Sequence, residues 1–81
     1  MKLSVADGRV EIRAEDLAPL LEMAPDDLRR QMAHGNVTTT YELGQGDDAG
    51  RFRVTFLSDR LRVRLTCAAD GTVLKRLRNT R

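Results

Sequence analysis

Eighty-one residues can build one modest hydrophobic core, and 41% hydrophobic against 32% charged residues is the balance of a folded globular chain, not of a disordered or fibrous one. The formal charge of +2 hides a division: residues 1–50 carry five bases against ten acids, and residues 51–81 carry nine bases against Asp59 and Asp70. With no run of the roughly 18–20 apolar residues that span a bilayer, no apolar leader and a single cysteine, Cys67, the membrane-spanning, secreted and disulfide-stapled classes lose support, and the cytoplasm is the expected address.

Leu3 and Val5, then Val10 and Ile12, alternate with polar neighbours around Asp7-Gly8, which predicts two short strands joined by a tight hairpin. Beyond them the period lengthens. Leu17, Leu20 and Leu21 share one side of a helix that begins near Glu15 or Asp16, since Pro19 is tolerated only in a first turn. Ala24-Pro25-Asp26-Asp27 opens a second helix with proline at its first position and carboxylates at its positive end. Met23 and Leu28 form a hydrophobic staple, Met32 continues the buried stripe, and Gly35 ends the helix.

From Asn36 the period becomes two, with Val37, Thr39, Tyr41 and Leu43 on one face of a strand. Residues 44–50, rich in glycine and aspartate, read as a hairpin loop. Phe52, Val54 and Phe56 then alternate with Arg51, Arg53 and Thr55, and Ser58-Asp59 turns the chain. Leu61, Val63, Leu65 and Cys67 alternate with Arg60, Arg62, Arg64 and Thr66, and Asp70-Gly71 leads into a last strand from about Thr72 to Arg76, with a tail that frays from about Arg78. The expected fold is a single α+β domain over residues 1–81: a short N-terminal β-hairpin, two short helices, and an antiparallel meander with the helices packed on one face.

The other face of that sheet is expected to be wet and studded with Arg51, Arg53, Arg62 and Arg64. Arginines alternating along neighbouring strands could meet phosphates, but they also serve as the polar face that a half-exposed sheet needs, and no aromatic residue stands among them to stack on bases. Glu42 or Asp48 is expected to pair with Arg51 or Arg53. The two helices resemble a helix-turn-helix, with Ala18 at the small-residue position, yet Glu22 stands where the turn glycine belongs and Asp26 and Asp27 would push phosphate away. The 44–50 loop follows neither the dinucleotide fingerprint nor a calcium loop, and one His with one Cys cannot make a structural zinc site, so no metal or cofactor is expected. Catalysis is not expected either, because His34 sits at a helix end, Cys67 points inward, and no acid, base and nucleophile set can be assembled.

The string Glu42-x-Gly44-x-Gly46-x-Asp48-x-Gly50-Arg51-x-Arg53-x-Thr55-Phe56, preceded by Leu17-Ala18-Pro19-Leu20, resembles a family of short bacterial proteins classed as a domain of unknown function. The resemblance runs from about Val10 to Leu74. It implies a compact α+β domain and a grouped importance of Glu42, Asp48, Gly50, Arg51 and Arg53, and it implies no activity, substrate or cofactor. The expectation is a small binding module that meets a protein partner or self-associates as a homodimer, with Glu42, Asp48, Arg51, Arg53, Arg62 and Arg64 as its candidate surface. Nucleic-acid binding through the arginine face or the helix pair is the alternative.

Overall fold

The computed structural model describes residues 1–6 and 9–81, with Asp48 described by its backbone alone. Its elements are β1 (Ser4–Ala6), β2 (Arg9–Glu11), α1 (Ala14–Leu17), α2 (Pro25–Ala33), β3 (Thr38–Leu43), β4 (Arg51–Leu57), β5 (Leu61–Ala68) and β6 (Val73–Thr80). β1 and β2 pair as an antiparallel hairpin, and the other four strands form an antiparallel sheet in the order β3-β4-β5-β6. This is the expected α+β meander. The Asp7-Gly8 turn lies outside the described residues.

Leu3 belongs to the core, not to the hairpin: it precedes β1 and is buried with Leu17, Ala18, Leu21 and Leu28 over the apolar side of the sheet. Its N–H donates to the Gly71 carbonyl at 2.8 Å, and the Val73 N–H donates to the Met1 carbonyl at 3.1 Å, so the N-terminus is stitched to the start of β6. Gly71 makes this approach possible. It has φ +95°, and a Cβ there would lie 1.8 Å from the Leu3 carbonyl oxygen.

α1 lasts one turn because Pro19 has no N–H to return to the Glu15 carbonyl, and the chain tightens into a 3-10 turn over Ala18–Leu21. Glu22 closes that turn in the left-handed region, φ 57° and ψ 44°. The Met23 N–H reaches the Ala18 carbonyl at 3.0 Å and the Glu22 N–H reaches that of Pro19 at 3.2 Å, the paired bonds of a Schellman ending in which glycine is usual. α2 starts at Pro25 as expected and runs to Ala33, and Gly35, at φ +77°, closes it, with Asn36 and Gly35 donating back to Gln31 and Met32. Leu28 is buried and Met23 packs on the core, in keeping with the staple. Met32, expected to be buried, is 43% exposed: four residues on from Leu28 it is rotated by about 40° from that residue's direction.

In the sheet, Phe52, Val54, Phe56, Val63, Leu65 and Cys67 form the buried inner face, and Tyr41 leans on Phe52 with ring centroids 5.5 Å apart. The helical lid covers the two central strands and leaves the edges bare. Leu43, on the inner series of β3, is 70% exposed, and beyond Val73 every residue of β6 is exposed. β6 also runs through Arg78 to Thr80, further than the Arg76 expected, with Asn79 opposite Arg62 and Thr80 opposite Leu61. Ser58 shapes the β4–β5 turn, its buried Oγ accepting from the Leu61 N–H at 3.0 Å and the Arg60 N–H at 3.3 Å.

Candidate binding face

Strand register decides which side chains share a face. Across β3 and β4, Glu42 stands opposite Arg53, Thr40 opposite Thr55 and Thr38 opposite Leu57, while across β4 and β5, Arg53 meets Thr66, Thr55 meets Arg64 and Leu57 meets Arg62. Because opposed residues point to the same side, these rows form the outer face, away from the helices, with Arg51 opposite Ala68 at the loop end. Glu42, Arg51, Arg53, Arg62 and Arg64 therefore lie on one surface, on the side expected. The backbone of Asp48 sits in a 3-10 turn of the β3–β4 loop, and its expected pairing falls on a side chain outside the described residues.

β6 adds residues that alternation alone does not place. A register shift opposite Thr66 and Cys67 inserts Leu74 as an extra residue, so that Lys75 faces Thr66, Leu77 faces Arg64 and Asn79 faces Arg62. Counted by twos from the inward Val73, Lys75 and Leu77 would have fallen on the inner side. The bulge turns them outward, and Arg76 and Arg78 take the inner side of the edge. The one trace of the bulge in the sequence is the break in alternation at Val73-Leu74, two apolar residues in succession.

The face is less wet than its composition suggests. Thr55 is 7% exposed, and the Nε of Arg64 is buried with no hydrogen-bond partner. Neighbouring arginine stems and Leu57 account for this, since long side chains lay their methylenes over a sheet while the charged ends stay in water. Thr40, Glu42, Thr55, Leu57, Arg62 and Arg64 line a shallow depression of about 370 Å³ there. Arg51 and Arg53 each have a partner within the chain, and Glu42 is directly across from Arg53, which offsets one positive charge of the row.

The chain's other reactive groups sit elsewhere. Cys67 is fully buried on the inner face, and burial pushes its thiol pKa up, away from the thiolate that nucleophilic chemistry uses. His34 is the C-cap of α2. Among the described residues, no three of His, Cys, Asp and Glu converge to hold a metal ion. The helix pair keeps the corner of a helix-turn-helix, with Glu22 adopting the conformation that the turn glycine would, but its first helix is a single turn. Asp26 and Asp27 at the start of α2 are paired with Arg29 and Arg30, and Arg29 also reaches Glu15 at 2.8 Å, binding α2 to α1.

The sequence pattern of a family of unknown function, DUF6522, matches residues 1–81. The chain belongs to the DUF6522 family. No curated protein and no solved structure matches this DUF6522 chain. Among its described residues, no helix is long and apolar enough to cross a membrane. The residues that carry the resemblance noted from sequence, Glu42 to Phe56, are the β3–β4 hairpin of this DUF6522 chain, and they run from the edge of the outer face to its centre.

Proposed function

We propose that this DUF6522 chain is a non-catalytic binding module whose outer sheet face takes an acidic protein surface. The observation that carries the reading is the convergence of Arg62, Arg64 and Lys75 with Leu57 and Leu77 on one side of three adjacent strands. A cationic face with leucines between the charges suits carboxylates and apolar side chains together, and charge complementarity steers and orients such an encounter. The aromatic residues support a protein partner over nucleic acid: Phe52 and Phe56 are buried in the core and Tyr41 lies on the same inner side, leaving no stacking platform among the arginines. The DUF6522 resemblance to short bacterial proteins makes the bacterial cytoplasm the proposed address, which fractionation of a native host checks.

Titration of the labelled protein with a Glu/Leu peptide, and separately with oligo-dT of equal charge, tests the reading. The peptide is expected to shift amides of β4, β5 and β6, and Arg62→Ala combined with Arg64→Ala is expected to weaken it about tenfold or more, as losing desolvated charge pairs does. Tighter binding of the DNA, with a steep salt dependence, would overturn the protein reading.

A further inference from the structure

The sheet has two edges, and only one is defended. On β6, the ladder to β5 uses alternate residues, as the Ala68 N–H to Thr72 carbonyl bond at 2.8 Å and the Arg81 N–H to Arg60 carbonyl bond at 2.9 Å fix, so Arg76, Arg78 and Thr80 turn their backbone groups outward. A second β6 laid antiparallel on these groups would set arginine opposite arginine with the two-fold axis at Arg76, Leu77 or Arg78, and lysine opposite lysine with the axis at Lys75. The N-terminal bridge at Lys2 and Thr72 and the bulge at Leu74 obstruct the rest of that edge. Cations, a bulge and a covering segment are the devices by which proteins keep an edge from pairing.

β3 itself carries no cation or bulge, and although Arg9–Glu11 of β2 line a depression with Thr39 and Tyr41, among the described residues no strand pairs with its outer edge. The Gly44 N–H donates to the Arg51 carbonyl at 2.9 Å, so the ladder to β4 uses Thr38, Thr40 and Glu42, and Thr39, Tyr41 and Leu43 point their N–H and C=O groups outward. The strand is Thr-Thr-Thr-Tyr-Glu-Leu, without lysine, arginine, proline or bulge, and rich in strand-forming side chains.

We infer that β3 is a homodimer interface, pairing antiparallel with β3 of a second copy about a two-fold axis at Thr40 and joining the two sheets into one of eight strands. Outward groups must meet outward groups, which sets Thr39 opposite Tyr41 of the second copy. That register puts Thr40 opposite Thr40, Thr38 opposite Glu42, and the exposed Leu43 opposite Val37, whose side chain is buried in its own core, with no like charges facing. Shifting the axis to Glu42 sets carboxylate on carboxylate, and shifting it to Tyr41 sets Val37 opposite Gln45, beyond the end of the strand. A strand pair of this length buries less than the ~800 Å² per partner of standard interfaces, so the dimer is weak, with a dissociation constant on the order of tens of micromolar.

Sedimentation equilibrium and amide hydrogen exchange across a concentration series test this without any acidic ligand, so the outcome is separate from that of the proposed function. The expected result is a monomer–dimer equilibrium in which the Thr39, Tyr41 and Leu43 amides slow at high concentration, while those of Thr38, Thr40 and Glu42 are protected throughout. Thr40→Lys places two ammonium groups on the axis and is expected to give a monomer with an unchanged far-UV spectrum, whereas Thr40→Ser still dimerises. A monomer at about 1 mM, far above the expected range, overturns the inference. A dimer that Thr40→Lys leaves intact or strengthens also overturns it, because its axis lies elsewhere.

Discussion

Positive φ is taken at Gly71 by glycine and at Glu22 by a residue with a side chain, and substitution at each should move stability in opposite directions. Gly71 has φ +95° with the Leu3 carbonyl pressed against it, so any side chain there breaks the stitch between the N-terminus and β6. Gly71→Ala combines a left-handed backbone with a clash against backbone that cannot rotate away, which costs at least ~2 kcal/mol. At roughly 4–8 °C per kcal/mol for a chain this size, the melting temperature is expected to fall by ~8 °C or more. Glu22 is the reverse case, a side chain in the left-handed C′ position of a Schellman ending. Glu22→Gly relieves ~1–2 kcal/mol of backbone strain and loses ~0.5–1 kcal/mol to the freer unfolded chain, for a net gain of roughly 0.5 kcal/mol and a rise of a few degrees. Thermal melts of the two variants against the parent check both signs, and a Gly71→Ala protein that melts with the parent would show that the Leu3 to Gly71 contact is not held in solution.

Ser58 closes the β4–β5 turn and Asp70 the β5–β6 turn, and the second is the one that titrates. The Asp70 carboxylate accepts the Thr72 N–H at 2.9 Å. That backbone bond first, then the Thr72 hydroxyl and the attraction of Lys2, hold its pKa below the usual carboxylate value. A group whose folded pKa is depressed stabilises the fold above its unfolded pKa and stops doing so as pH falls through the folded one. Asp70→Asn is therefore expected to melt below the parent at neutral pH, with the two curves converging as pH drops below about 4, the range of an ordinary aspartate; a gap that persists to pH 2 would point to the turn's geometry instead of its charge. These turns, Ser58-Asp59 and Asp70-Gly71, were legible in the sequence because Ser, Asp and Gly act within a few residues of themselves. The start of α2 at Pro25 and the alternation of β4 and β5 were legible for the same reason, and with them the outer position of Arg51, Arg53, Arg62 and Arg64. What stayed hidden depends on distant partners: the bulge at Leu74 that turns Lys75 and Leu77 outward exists only against Thr66 and Cys67. Leu3 leaves the hairpin because Gly71 offers it a carbonyl, and Met32 is exposed because a helical turn of about 400° over four residues carries it off the line of Leu28.

One buried cluster holds the molecule together, running from Leu3 through Leu17, Leu21 and Leu28 onto Phe52, Val54, Phe56, Val63, Leu65 and Cys67. Every strand and helix except β1 delivers a residue to it or packs directly on one that does, β2 through Val10, and the exposed ion pairs of α1 and α2 add little, since such surface pairs contribute ~0–1 kcal/mol. The core should consequently open as a unit. Cys67 reports that opening, because it is fully buried on the inner face of β5 and its pKa is raised by burial, so a thiol reagent reaches a competent thiolate only after the strands part. With a stability near ~5 kcal/mol, the low end for small domains, labelling should run roughly three to four powers of ten slower than for a free cysteine peptide. Gly71→Ala tests the same opening from the adjoining β5–β6 turn. Its ~2 kcal/mol loss corresponds to about 30-fold more of the open state at equilibrium, so Cys67, which pairs with Val73 just beyond that turn, should label about 30-fold faster. Labelling that quickens by much less than the measured loss of stability would mean that the N-terminal stitch opens alone, leaving Phe52, Leu65 and Cys67 closed beneath the helices.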